Sequence, residues 1–266
     1  MRARRAAIAT LLLVGWTPGG AAQAPASGPP TVSARASAPI DLTGYWVSVV
    51  TEDWRWRMLV PPKGDYTSVP LNAAGRRVAD GWDPATAPAD GCRAFGAAAI
   101  MRVPGRLRIT WESDTVLRIE ADAGRQTRRL RFEGRTPDSA ERTWQGLSTA
   151  QWEPAGGGRG RGAGLGAGGA RGRLDAQGAQ GARGRGGSLK VTTTRMRAGY
   201  LRANGVPYSE QAVVTEYFDR HQTFGDEWLT VTTIVEDSEY LTQPFITSSD
   251  FKREADGAMF APAPCE

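Results

Sequence analysis

The residues best placed to do chemistry lie in one run, Val213-Val214-Thr215-Glu216-Tyr217-Phe218-Asp219-Arg220-His221. Side chains alternate across a strand. Val214, Glu216 and Phe218 therefore share one face, and Val213, Thr215, Tyr217, Asp219 and His221 share the other. Whichever face turns inward, an acid follows apolar neighbours. A carboxyl group in an apolar cavity keeps its proton to higher pH and can serve as a general acid or base. Glu216, Asp219 and His221 are thus the catalytic candidates, and a carbohydrate or lipid-like molecule the candidate substrate. An arginine beside Glu216 would make it a structural ion pair instead, with Arg57 and Arg128 as candidate partners. His221 is the single histidine of the chain, and histidine is the side chain that titrates near neutrality unperturbed.

A second set is aromatic. Read as a strand, Trp54 to Val60 places Trp54, Trp56 and Met58 on one face and Asp53, Arg55 and Arg57 on the other. An aromatic, polarizable face suits rings and flat apolar surfaces. Trp54, Trp56 and Met58, with Tyr217, are the candidate ligand-binding residues. Glu52-Asp53 and Asp226-Glu227 pair acids at strand edges, where glycosidic chemistry, Ca²⁺ binding or simple solvation are the alternatives. One histidine and two cysteines exclude a His-rich or Cys₄ zinc site. Neither G-x-S-x-G nor G-x-x-x-x-G-K-[ST] occurs in the chain. No metal and no cofactor is expected.

The elements that must hold these residues read mainly as strands: Gly44 to Val50, Trp54 to Val60, Arg106 to Glu112, Val116 to Ala121, Arg128 to Phe132, Thr143 to Trp152, Leu189 to Met196, Val213 to Phe218, Trp228 to Val235 and Tyr240 to Lys252. Turn residues separate several of them, at Ser113-Asp114, Asp122-Ala123-Gly124, Asn204-Gly205 and Phe224-Gly225-Asp226. Many short alternating strands with such turns predict an all-β fold, an antiparallel barrel or a sandwich. Helix is scarce, with two turns expected over Leu71 to Ala79 and one over Ala94 to Met101. Between two strand-like stretches lies a Gly/Arg-rich tract, residues 155–187, with fifteen glycines and only two large apolar residues, Leu165 and Leu174. Such a composition cannot bury enough to offset chain entropy, so a long disordered loop is expected there.

The chain has 266 residues and a formal net charge of +5, but the excess lies outside the expected domain. Arg2, Arg4 and Arg5 precede an apolar run from Ala6 to Gly15, and the 155–187 tract carries six arginines against one acid. The remainder is mildly acidic, so no nucleic-acid partner is expected. The order of charged, apolar and small residues marks 1–22 as a secretory signal, with cleavage after Ala22 or Ala24. The apolar run is too short for a membrane-spanning helix, and no later segment supplies one. Residues 23–40 read as a disordered leader, and residues 41–266 as a single β domain interrupted by the tract. Export implies a periplasmic or secreted protein and permits a Cys92–Cys265 disulfide.

The opening Asp41-Leu42-Thr43-Gly44-Tyr45-Trp46-Val47-Ser48-Val49-Val50-Thr51-Glu52-Asp53-Trp54-Arg55-Trp56-Arg57-Met58 resembles that of a family of exported bacterial proteins. The blocks Gly105 to Trp111 and Leu229 to Val235, and the run Tyr240-Leu241-Thr242-Gln243-Pro244-Phe245, are similar to the same family. Leu42-Thr43-Gly44-Tyr45-Trp46 also resembles the first strand of lipocalin-like barrels. The resemblance implies export and a β fold. It carries over no catalytic residues, because no activity is established for the family. The expected function is binding of a small amphipathic or apolar ligand in a barrel lumen. The rivals are a periplasmic enzyme using the carboxylates named above and a structural envelope protein.

Overall fold

The alternation at Arg106–Ser113 and Val116–Ala121 is realised in a closed barrel. In the computed structural model, which describes residues 32–85, 87–133, 141–154 and 187–265, the strands are β1 Gly44–Val49, β2 Arg106–Ser113, β3 Val116–Ala121, β4 Gln126–Arg131, β5 Leu147–Pro154, β6 Gly187–Thr194, β7 Gly199–Arg202, β8 Val206–Tyr208, β9 Val213–Thr223, β10 Asp226–Glu236 and β11 Phe245–Glu254. The barrel order is β1-β11-β10-β9-β6-β5-β4-β3-β2, and β7-β8 form a separate two-stranded sheet. Because β1 pairs with both β11 and β2, the sheet has no free edge and the sandwich alternative falls. Eight of the barrel's neighbouring pairs are antiparallel. The exception is β4 with β5, parallel over Leu130↔Ser148 and Arg131↔Thr149 only. Lipocalin barrels are eight-stranded and up-and-down; nine strands and a parallel seam set this one apart.

Inward residues fill the lumen. Trp46, Ile109, Leu130, Leu189, Val191, Phe218, Leu229 and Val231 are wholly buried there, with Leu107, Leu117, Ile119 and Phe251 nearly so. Burial of this kind is the main stabilising term, at about 25 cal/mol per Å² of apolar surface. A second core lies at the barrel end where β9 and β11 begin and β10 ends. There Tyr66, Leu71, Met196, Leu201, Val206 and Tyr208 pack with Val214, Val235 and Phe245. The helix expected over Leu71 to Ala79 is α2, Ala73–Asp80, started by Asn72, whose side chain accepts a hydrogen bond from the Gly75 N–H. The turn expected over Ala94 to Met101 is split between 3₁₀ segments at Ala87–Phe95 and Ile100–Arg102.

Three expectations need correction. Trp54 to Val60 is not a strand. Asp53 adopts a left-handed conformation, φ 52°, and redirects the chain into a single helical turn, α1 Trp54–Arg57. The run from Tyr240 is not yet strand, because Leu241 N–H bonds back to Asp237 O and Pro244 has no N–H to offer; β11 starts at Phe245. Residues 33–40, expected as part of a disordered leader, are tied to the barrel. Trp152 Nε1 donates to Ala34 O at 2.8 Å, Arg35 N donates to Asp114 O at 3.0 Å, and Ile40 packs on the lumen core.

Cys92 and Cys265, 173 residues apart, form the expected disulfide. The β9–β10 hairpin turns through Phe224 and Gly225, both at positive φ, the geometry that suits the twist of the flanking strands. At the Gly/Arg-rich tract, Pro154 pairs with Gly187 at the end of the β5–β6 ladder. The rest of the tract, 155–186, lies outside the described residues, as do the expected signal and residues 23–31 of the leader. Among the described residues no helix is long and apolar enough to cross a membrane.

Candidate functional site

The catalytic candidates do not converge. Glu216 points into the lumen and is wholly buried, where Arg128, itself 2% exposed, grips both carboxylate oxygens. Arg128 Nη2 also donates to Thr193 Oγ1 at 3.3 Å, and Thr193 shares a 2.7 Å hydrogen bond with Ser148. This is the ion-pair alternative, with Arg128 as the partner. Asp219 and His221 lie on the opposite, outer face of β9 and are exposed. Partial desolvation pushes the Asp219 carboxyl up, while His221 beside it pulls it down and Glu153 adds a smaller push up. Tyr217 also faces outward, with Lys190 Nζ 5.7 Å from its ring centre.

The paired acids are counter-ions. Asp226 pairs with Lys252 at 2.8 Å; Glu227 pairs with Arg220 and, at 3.3 Å, with Arg253. Desolvation alone would raise the Glu227 carboxyl, but the two arginines more than offset it and hold it low. Glu52 pairs with Arg57, and Asp53 with Arg102 at 2.9 Å. Among the described residues no His/Cys/Asp/Glu group could hold a metal ion.

The aromatic candidates fare differently. Trp54 is 62% exposed and stands on the surface. Trp56 and Met58 line a cavity of about 230 Å³ at the barrel end that the second core caps, together with Leu59, Val60, Phe95 and Leu201. Neither Glu216 nor Tyr217 lines it. Trp56 is fixed by a hydrogen bond from its Nε1 to Asp65 Oδ2 at 3.0 Å. That bond, with Thr67 and Arg55 also contributing, holds the Asp65 carboxyl down at about 2. Met58, Leu59 and Val60 are each more than half exposed, so the cavity's apolar lip is open to solvent.

Three arginines that sequence reasoning did not bring together stand in the same wall: Arg57, Arg102 and Arg202. Arg57 is buried; its Nε donates to Arg102 O at 2.9 Å and its Nη1 donates to Glu52. Arg102 Nη2 donates to Asp53. Arg202 is 3% exposed, and its Nε, Nη1 and Nη2 have no hydrogen-bond partner among the described residues. Its guanidinium lies 4.8 Å from the Trp56 ring centre, a cation–π distance. Burial, then repulsion from Arg102, lowers it to about 10, against the pull of Asp53 and Asp65. It remains charged at neutral pH.

The β7–β8 hairpin places Arg202. Its turn, Asn204-Gly205, needs a glycine, because φ is +82° and a Cβ at Gly205 would sit 2.2 Å from Trp82 Cγ. Asn204 Nδ2 then donates to Pro62 O and Asp65 O, tying the hairpin to the loop that carries the apolar lip. The Asn-Gly turn was legible in the sequence. The short strands on either side, and the charge at the end of β7, were not.

Comparison with known protein families, curated proteins and solved structures finds no match to this chain.

Proposed function

We propose that this protein binds a small amphipathic ligand, and does so at the capped end of the barrel rather than in the lumen. The observation that carries the reading is the cavity bounded by Trp56, Met58, Leu59, Val60, Phe95 and Leu201, whose lip leaves large apolar side chains in water. Exposed apolar groups beside a concave, mostly apolar site with a few polar groups are the usual features of a small-molecule site. At about 230 Å³ the cavity lies below the range of about 300–1,000 Å³ for drug-sized ligands, so the ligand is small. The lumen is filled by Trp46, Phe218, Phe251 and their aliphatic neighbours, which leaves the original expectation of a luminal ligand without support. The enzyme reading loses ground for a related reason. Glu216 is committed to Arg128, and Asp219 and His221 stand apart from the cavity.

An exported location belongs to the same proposal. The Cys92–Cys265 disulfide supports it, since such bonds persist mainly in oxidising compartments. Thermal unfolding of the disulfide-bonded protein with octanol and octanoate tests the binding reading. Either compound should raise Tm, and Ala203→Trp at the cavity wall should suppress the rise without altering the unliganded Tm. An equal rise in that variant would move binding elsewhere.

A further inference from the structure

The arginine wall carries the reading one step further, to the class of ligand. Three arginines line the cavity, Arg57, Arg102 and Arg202, and Arg55 stands over the Trp56 ring in its wall. Arg55 pairs with Asp65 at 2.8 Å, Arg57 with Glu52 and Arg102 with Asp53. Arg202 is left without an acid, nearly fully buried, with all three guanidinium nitrogens unsatisfied. Arg102 Nη1 and Arg57 Nη2 are unsatisfied as well. A buried charge without a partner is expensive and tends to be paired or used. Of the three arginines in the lining two are matched by acids and one positive charge is left, and the open donors belong to forks that fit a planar two-oxygen acceptor.

We infer that the cavity's ligand is a monoanionic carboxylate on a short apolar tail, its head seated on Arg202 and its tail along Met58, Leu59 and Leu201. This rests on the reading of the cavity as a ligand site. One negative charge balances the wall, whereas a phosphate monoester brings about 1.5 to 2 at neutral pH and overfills it. Trp56 holds the Arg202 guanidinium by its face, so the plane of donors is set before the ligand arrives and little side-chain entropy is lost on binding. The tail replaces water on the lip that Met58, Leu59 and Val60 expose to solvent.

Isothermal titration of the full, disulfide-bonded chain at neutral pH with octanoate, octanol and octyl phosphate tests this. Octanoate should bind at least tenfold more tightly than octanol and more tightly than octyl phosphate. Arg202→Met should erase the preference for octanoate over octanol while the protein unfolds at the same or a higher temperature, since an uncompensated buried charge is gone. Arg202→Lys keeps the charge but not the fork, and should retain only part of the preference. Equal affinity for octanol and octanoate in the natural protein would overturn the carboxylate assignment and leave the cavity reading standing. So would an unchanged preference in either variant, or tighter binding of octyl phosphate. Absence of heat with all three compounds would overturn the inference and the cavity reading together.

Discussion

Glu216→Gln isolates the buried ion pair from any binding or catalysis. The substitution keeps shape and removes one charge. Arg128 would then sit 2% exposed in the lumen with a neutral amide in place of the carboxylate that now meets both of its terminal nitrogens. Its Nε is already without a partner, and Thr193 offers only one long hydrogen bond in compensation. Breaking a buried pair from one side costs about 3–5 kcal/mol. For a domain of this size each kcal/mol lowers Tm by about 2–4 °C, so the expected fall is about 6–20 °C. Replacing both partners, Arg128→Met with Glu216→Leu, removes the stranded charge. That double variant should recover most of the loss, because apolar replacement of a buried pair is often neutral or stabilising. Urea unfolding followed by tryptophan fluorescence reads both variants. A loss under about 1 kcal/mol in Glu216→Gln, or a double variant worse than the single one, would refute the claim that the pair is structural and return Glu216 to the catalytic candidates.

Reduction of the Cys92–Cys265 bond should destabilise the protein by as much as about 5 kcal/mol, from the loop-entropy relation for a span of 173 residues; thermal unfolding with and without a reductant checks it. Replacing residues 155–186 by an Asn-Gly turn shortens the β5–β6 connection by four doublings, each worth about 0.6 kcal/mol of closure entropy. Stability in urea should hold or rise by up to about 2 kcal/mol, and a clear loss would give the tract a structural role. Asp65 should make the protein acid-sensitive. Its carboxyl falls from an ordinary 3.8 to about 2 in the folded state, so its contribution is complete above about pH 4 and is lost as pH drops towards 2. Asp65→Asn should flatten a plot of Tm against pH in that window while leaving it parallel to the natural protein's above pH 5.

Local signals account for what the sequence showed of this fold. The alternation of Leu107, Ile109 and Trp111, the Phe224-Gly225 hairpin, the helix after Asn72 and the cysteine pair all follow from neighbours along the chain or from a count of two. Trp54 to Val60 read as a strand because its residue types alternate. What overrides them is one backbone angle, the left-handed Asp53, which curls the run into a helical turn and brings Trp56 and Met58 round to a shared cavity. The face parity of β9 was legible, and an arginine partner for Glu216 was narrowed to Arg57 or Arg128, of which the structure pairs Arg128 with Glu216 and Arg57 with Glu52. Which face turns inward depended on the closure of the barrel. The cavity itself was not legible. Its walls come from stretches near residues 56–60, 94–104 and 201–203, each unremarkable alone. An arginine in sequence gives no sign of whether an acid will meet it; Arg202 stands out only once Glu52, Asp53 and Asp65 are seen to be committed to other arginines.

The proposed ligand site is the capped end of the barrel, with Trp56 in its wall and the lumen filled. Two indoles separate these places. Trp46 is wholly buried in the lumen and donates to Leu42 O at 3.0 Å, whereas Trp56 lines the cavity and donates to Asp65. Titration of ¹⁵N-tryptophan-labelled protein with octanoate, followed through the assigned indole N–H resonances, should move the Trp56 signal saturably and leave Trp46 unchanged. A saturable shift of Trp46 with Trp56 still would place the ligand in the lumen and contradict the account.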